Sequence, residues 1–166
     1  MSKSKEWNKL SKYNQDLIEK YQREIPMKLG ALAKELNLVV KKSTLAPNIS
    51  GEIKESDNIV TIKINRHDAI SRQRYTLAHE IAHFFLHRHL LKNGIEDDVL
   101  YRSTQSNEVE AEANRLAADI IMPLELVKSL IKKYSADDLD KEKVYECVAE
   151  ELAVSTTALA IRLEKI

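Results

Sequence analysis

The sequence predicts an α+β fold, mostly helical, with one small antiparallel sheet ahead of its most apolar helix. Three observations carry that expectation. Apolar residues recur at helical spacing through most of the 166 residues. One short stretch, Ile59 to Ile64, alternates instead with a period of two. A single His-Glu-x-x-His, at His79, Glu80 and His83, lies inside the most apolar helical run.

A chain of this length supports one domain with a real core. Within residues 1–166 we expect an N-terminal helix over 1–25, a core over 26–135 and a final helical pair over 136–166. Lys plus Arg and Asp plus Glu number 26 each, so the formal net charge is zero. That balance argues against a nucleic-acid-binding surface, which needs a cationic excess. No apolar stretch approaches the roughly 20 residues that cross a bilayer. The first residues lack the apolar segment of a signal peptide. Cys147 is the one cysteine, which excludes an internal disulfide. The expected location is the cytoplasm.

Taken in order, Leu10, Tyr13, Leu17, Ile18, Tyr21 and Ile25 predict a helix over 6–24. Pro26 suits the first turn of a second helix, whose apolar face is Leu29, Leu32 and Leu36. Leu38-Val39-Val40 reads as a strand, and Thr44 to Ser50 as a loop. Residues 51–54 and 59–64 flank Glu55-Ser56-Asp57-Asn58 as a hairpin, with Val60, Ile62 and Ile64 on one face. Asn65 or Asp68 is placed to cap the helix that follows, over about 70–91. Ala78 and Ala82, one turn apart, let another element come close. Lys92-Asn93-Gly94 stops that helix, and 95–106 read as loop. Asn107 or Ser106 is placed to cap a helix running to about 121, and Pro123 opens another containing Leu124, Leu126, Val127, Leu130 and Ile131. Two further helices are expected at 141–152 and 155–165, split at Ala153-Val154-Ser155.

The chemistry sits in the His-Glu-x-x-His. Residues four apart share a helix face, so His79 and His83 can hold one metal ion. Glu80 is placed to take a proton from the attacking water. Two histidines and a glutamate on one apolar stripe are costly to bury without a task. A catalytic zinc site takes three protein ligands, and Glu108, Glu110 and Glu112 on the next helix are candidates for the third. Glu110 is favoured, because Asn114 lies one turn beyond it and can accept a hydrogen bond from a ligating imidazole. His87 could line the same cleft, but as a third ligand one more turn along it would strain a tetrahedral site. Its expected role is structural or substrate-facing. His67 and His89 are not assigned to the metal. Tyr75 and Tyr101 are candidate donors to a developing oxyanion.

Arg72 to His87 and Glu110 to Pro123 together resemble the core of the ImmA/IrrE family of metallo-endopeptidases. Pro26 to Leu38, Ser50-Gly51-Glu52-Ile53 and the hairpin resemble it too. The resemblance implies a zincin-like core and a third ligand at the first Glu of Glu-x-x-Ala-(Asn/Asp), which here is Glu110, with Ala113 and Asn114. Ile81-Ala82 and Leu116 depart from the family's commoner Leu-Gly and Phe, away from the chemistry. The resemblance also implies zinc, or alternatively manganese, and as substrate a helix-turn-helix repressor in a phage, mobile-element or stress-response circuit. Val148 to Leu163 looks like a helix-turn-helix. Its first helix is acidic and Arg162 is its main cation, so packing or partner docking is expected rather than DNA reading.

The expected activity is therefore peptide-bond hydrolysis, with the strand at Ile59–Ile64 offering an edge to an extended substrate. The alternatives are a catalytically silent repressor-binding or toxin–antitoxin component with a peptidase-like fold, and a transcription factor acting through the last helices. Intact Glu80 speaks against the silent binder.

Overall fold

The helix expected over 6–24 divides at Leu10. The structure, a computed structural model describing residues 3–98 and 107–164, begins with a 3₁₀ turn at Trp7–Lys9 and then α1 (Lys12–Tyr21). Leu10 is extended, and the Ser11 hydroxyl accepts a hydrogen bond from Asn14 N, capping α1. A continuous apolar periodicity hid a capping serine. Pro26 lies in a bend ahead of α2 (Leu29–Glu35), not in its first turn.

The sheet has four described strands: β1 (Val39–Ser43), β2 (Ile49–Ser56), β3 (Ile59–Asn65) and β4 (Ile95–Asp98). Their order is β1-β3-β2-β4. β2 and β3 form the expected antiparallel hairpin, and Asp57 and Asn58 take positive φ in its tight turn. β1 joins β3 in parallel, so the sheet is mixed. β3 is paired on both sides and offers no edge to a substrate, contrary to expectation. β4 is a second correction, since 95–98 read as loop. It pairs with β2 from Ile53↔Ile95 to Ile49↔Asp98 with a bulge near Gly51. Ile95 is its only apolar residue, so β2 dictates the strand, not periodicity.

Val60, Ile62 and Ile64 are all buried on one face, as the alternation predicts. α3 (Ile70–Leu86) crosses the sheet, and α4 (Asn107–Ile121) packs on α3. Ala78 and Ala82 of α3 and Ala113 and Ala117 of α4 are all fully buried. Small side chains on both helices allow the close approach. α3 ends earlier than expected, at Leu86, and a 3₁₀ turn (Arg88–Leu90) follows. Neither Asn65 nor Asp68 caps it. Asn65 instead donates to Ala46 O and Ile49 O, while Gln73 donates to Arg66 O and Asp68 O.

α5 (Leu124–Ser135), α6 (Lys141–Leu152) and α7 (Thr156–Glu164) complete the described chain. Ala153, left-handed at φ 53°, makes the turn between α6 and α7. Arg74 on α3 donates to Ala153 O and Met27 O, so the central helix ties both ends of the fold. Arg162 is held at Asp119 Oδ1 (2.7 Å) and Met122 O (3.1 Å). The main cation of the helix-turn-helix-like segment is thus engaged within the molecule.

The N-terminal segment straps α4. Ser4 N donates to Asp119 Oδ2, the Glu6 carboxylate grips the Arg115 guanidinium at 2.8 and 2.9 Å, and Lys9 Nζ reaches Glu112 Oε1 at 2.7 Å. Positions 112, 115 and 119 form one ridge of α4. No described helix is long and apolar enough to cross a membrane.

Candidate metal centre

Two helical spacings build the centre. On α3, His79 and His83 project from one face one turn apart. On α4, Glu110 projects from the first turn toward them. Glu110 Oε2 lies 3.1 Å from His79 Nε2, and its Oε1 lies 3.3 Å from His83 Nε2. The two Nε2 atoms are 3.0 Å apart. All three residues are buried, and their donor atoms fall within 4.8 Å of one another. A tetrahedral ion with bonds of about 2.0–2.1 Å spaces its ligand atoms by about 3.3–3.4 Å. The donor set, two imidazoles and one carboxylate, and its spacing therefore fit a bound metal ion.

The groups behind the donors orient them. Asn114 Oδ1 lies 3.0 Å from His79 Nδ1, so the amide oxygen accepts the ring N–H and turns Nε2 toward Glu110 and His83. The Tyr75 hydroxyl is 3.5 Å from the same Oδ1. This puts the phenol behind His79, on the Nδ1 side of the ring. Burial pushes the Glu110 carboxyl up, but the imidazoles of His79 and His83 overcome it and hold the group well below the usual carboxylate range. Glu110 is an anion in the company of two nitrogen donors.

Glu80 is wholly buried on α3 beside the centre. Gly51 of β2 makes room for it. A Cβ at position 51 would stand 2.5 Å from Thr76 Cγ2 and 2.7 Å from Glu80 Oε1. The sheet thus closes on the carboxylate at backbone distance. Asp97 of β4 is the register partner of Gly51, so β4 is the outer strand beside this contact.

His87 stands behind His83, with its Nδ1 3.0 Å from His83 Nδ1. Its Nε2 lies 3.0 Å from Glu112 Oε2. The other Glu112 oxygen meets Lys9, and Lys9 and His87 together hold the Glu112 carboxyl down to about 2. Sequence reasoning passed over Glu112, whose neighbour at position 116 is Leu116. No local signal marks it, since His87 lies 25 and Lys9 103 residues away. Glu108 is exposed on the same helix, outside the cluster. His67 meets Thr44 Oγ1 at 3.3 Å, away from the centre. Tyr101 lies outside the described residues.

A search of curated proteins returned no match. A comparison with family profiles matches residues 33–164 to the peptidase M78, IrrE N-terminal-like domain. The matched span contains His79, His83, Glu110 and Asn114, the residues converging here, and Glu80 beside them on α3. By that match, over most of its length, the chain belongs to the M78 family of metal-dependent peptidases, the family of IrrE N-terminal-like domains.

Proposed function

We propose that this chain is a cytoplasmic zinc endopeptidase that cleaves a helix-turn-helix transcriptional repressor. One observation carries the peptidase reading: His79, His83 and Glu110 converge in a buried cluster, with Glu80 on the same helix as the two histidines. The ImmA/IrrE resemblance supports the repressor as substrate, in a phage, mobile-element or stress-response setting, and supports zinc, with manganese as the alternative ion.

His79, His83 and Glu110 would hold the ion, and Asn114 keeps the His79 ring turned so that Nε2 faces it. Bound there, the ion would polarise the scissile carbonyl and acidify the attacking water. Glu80 accepts the water's proton and delivers it to the leaving amine. Its burial against β2 excludes bulk water from that transfer. An extended substrate segment would pair with β4, the outer strand nearest Glu80, rather than with the doubly paired β3.

The test is incubation of zinc-loaded protein with the repressor encoded beside it. Wild type should yield two fragments with a single new N-terminus. Glu80→Gln should lose at least about 10²-fold in rate, the low end for removing a general base, while keeping its zinc. An uncut repressor would overturn the substrate assignment, and a fully active Glu80→Gln would overturn the mechanism.

A further inference from the structure

The chain of contacts behind His83 has one self-consistent proton arrangement. His83 turns Nε2 toward His79 and Glu110. On the metal reading above, on which this inference rests, that nitrogen carries no hydrogen. The ring N–H is then on Nδ1, and it points at His87 Nδ1, 3.0 Å away. His87 must therefore accept at Nδ1 and carry its own hydrogen on Nε2. That hydrogen meets Glu112 Oε2 at 3.0 Å. A carboxylate only accepts, so it selects this tautomer of His87. The opposite tautomer would set two N–H groups against each other at one end and a lone pair against a carboxylate at the other. Lys9 Nζ, 2.7 Å from Glu112 Oε1, fixes the carboxylate's position. His87 is 3% exposed, so water has little access to replace either contact.

We propose that His87 and Glu112 are positioning residues for His83: Glu112 sets the tautomer of His87, and His87 thereby orients the metal-binding imidazole. The relay extends the centre beyond its three donors and Asn114. It gives each histidine an acceptor behind it, Asn114 for His79 and His87 for His83. It also ends at Lys9, outside the residues matched to the family.

The experiment measures Zn²⁺ affinity by competition with a chromophoric chelator, and the His87 tautomer by long-range ¹H–¹⁵N ring correlations. His87→Ala and Glu112→Ala should each weaken zinc binding by about 10- to 100-fold, the usual effect of removing a ligand's outer partner. Glu112→Gln, which keeps an acceptor oxygen and the side-chain shape, should fall between wild type and Glu112→Ala. It also carries the test if Glu112→Ala fails to fold. In wild type His87 should show the Nε2–H form, and in Glu112→Ala a mixture. His83→Ala controls for the metal reading. If wild type binds no stoichiometric zinc, or His83→Ala binds it equally well, the metal reading falls. If His83→Ala loses zinc while His87→Ala and Glu112→Ala keep wild-type affinity, or His87 holds the Nδ1–H form, the relay alone is overturned.

Discussion

Gly51 shows how little room the centre leaves for error. Its missing side chain lets β2 lie directly on Thr76 and Glu80, where a Cβ would meet atoms at 2.5 and 2.7 Å. Both neighbours are buried on α3, so neither can swing into solvent. Gly51→Ala should cost about 1–3 kcal/mol of stability, as overpacking does. It should also reduce turnover by roughly 10- to 100-fold, since a displacement near 1 Å disrupts a catalytic geometry. Chemical denaturation and peptide hydrolysis by the purified variant check the two effects. A variant with wild-type activity would show that Glu80 tolerates displacement and does not act on the reacting atoms. At this scale the sequence was readable where the chemistry is local. His79, Glu80 and His83 declare themselves by spacing on one helix. Glu110 could be singled out from its neighbours only through Asn114 and the family pattern. Glu112 carries no local mark, because its partners are His87, just past the end of α3, and Lys9 near the N-terminus.

Elements obey the same division. The β2–β3 hairpin and α3 follow from periodicity, because each buries one face against its neighbour. β4 escapes that reading, since a four-residue strand with one buried apolar residue takes its conformation from the strand beside it. The N-terminal strap escapes it too, because the polar pairs that tie it to α4, beside the buried Trp7 and Leu10, leave no periodic mark. Its strongest tie is Glu6 with Arg115. Burial raises the Glu6 carboxyl, but the guanidinium overcomes it and holds the group below its ordinary 4.5. A carboxyl lowered in the folded state stabilises the fold above its unfolded value and loses that contribution as pH falls through the folded one. Wild type should therefore shed stability below about pH 4.5 through this pair. Glu6→Gln should be weaker by about 2 kcal/mol at pH 7, the scale of hydrogen bonds to a charged group, and its deficit should shrink on acidification. Urea midpoints at pH 7 and pH 3.5 for both proteins measure this. A deficit that is constant with pH would mean that the strap does not depend on the ionised carboxylate.

For the whole molecule, the centre is where separate parts of the chain are joined. His79 and His83 come from the helix that crosses the sheet, and Glu110 from the helix under the N-terminal strap. Arg74, on the same α3, reaches Met27 and the α6–α7 turn. An ion that binds the three donors binds the folded state and not the unfolded chain, in which the donors are dispersed. Zinc at 100 times its dissociation constant should then stabilise the protein by about 2.7 kcal/mol. At about 2–4 °C per kcal/mol for a chain of this size, the thermal midpoint should rise by roughly 5–10 °C. Excess chelator should reverse the rise, and His83→Ala should abolish it. Glu80→Gln should retain it, because Glu80 stands beside the three donors and is not one of them. Calorimetry of the three proteins with and without zinc separates structural binding from catalysis. A midpoint in wild type that does not move at saturating zinc would mean that the three donors do not close on an ion in solution. Loss of the rise in Glu80→Gln would make that carboxylate a ligand rather than a base.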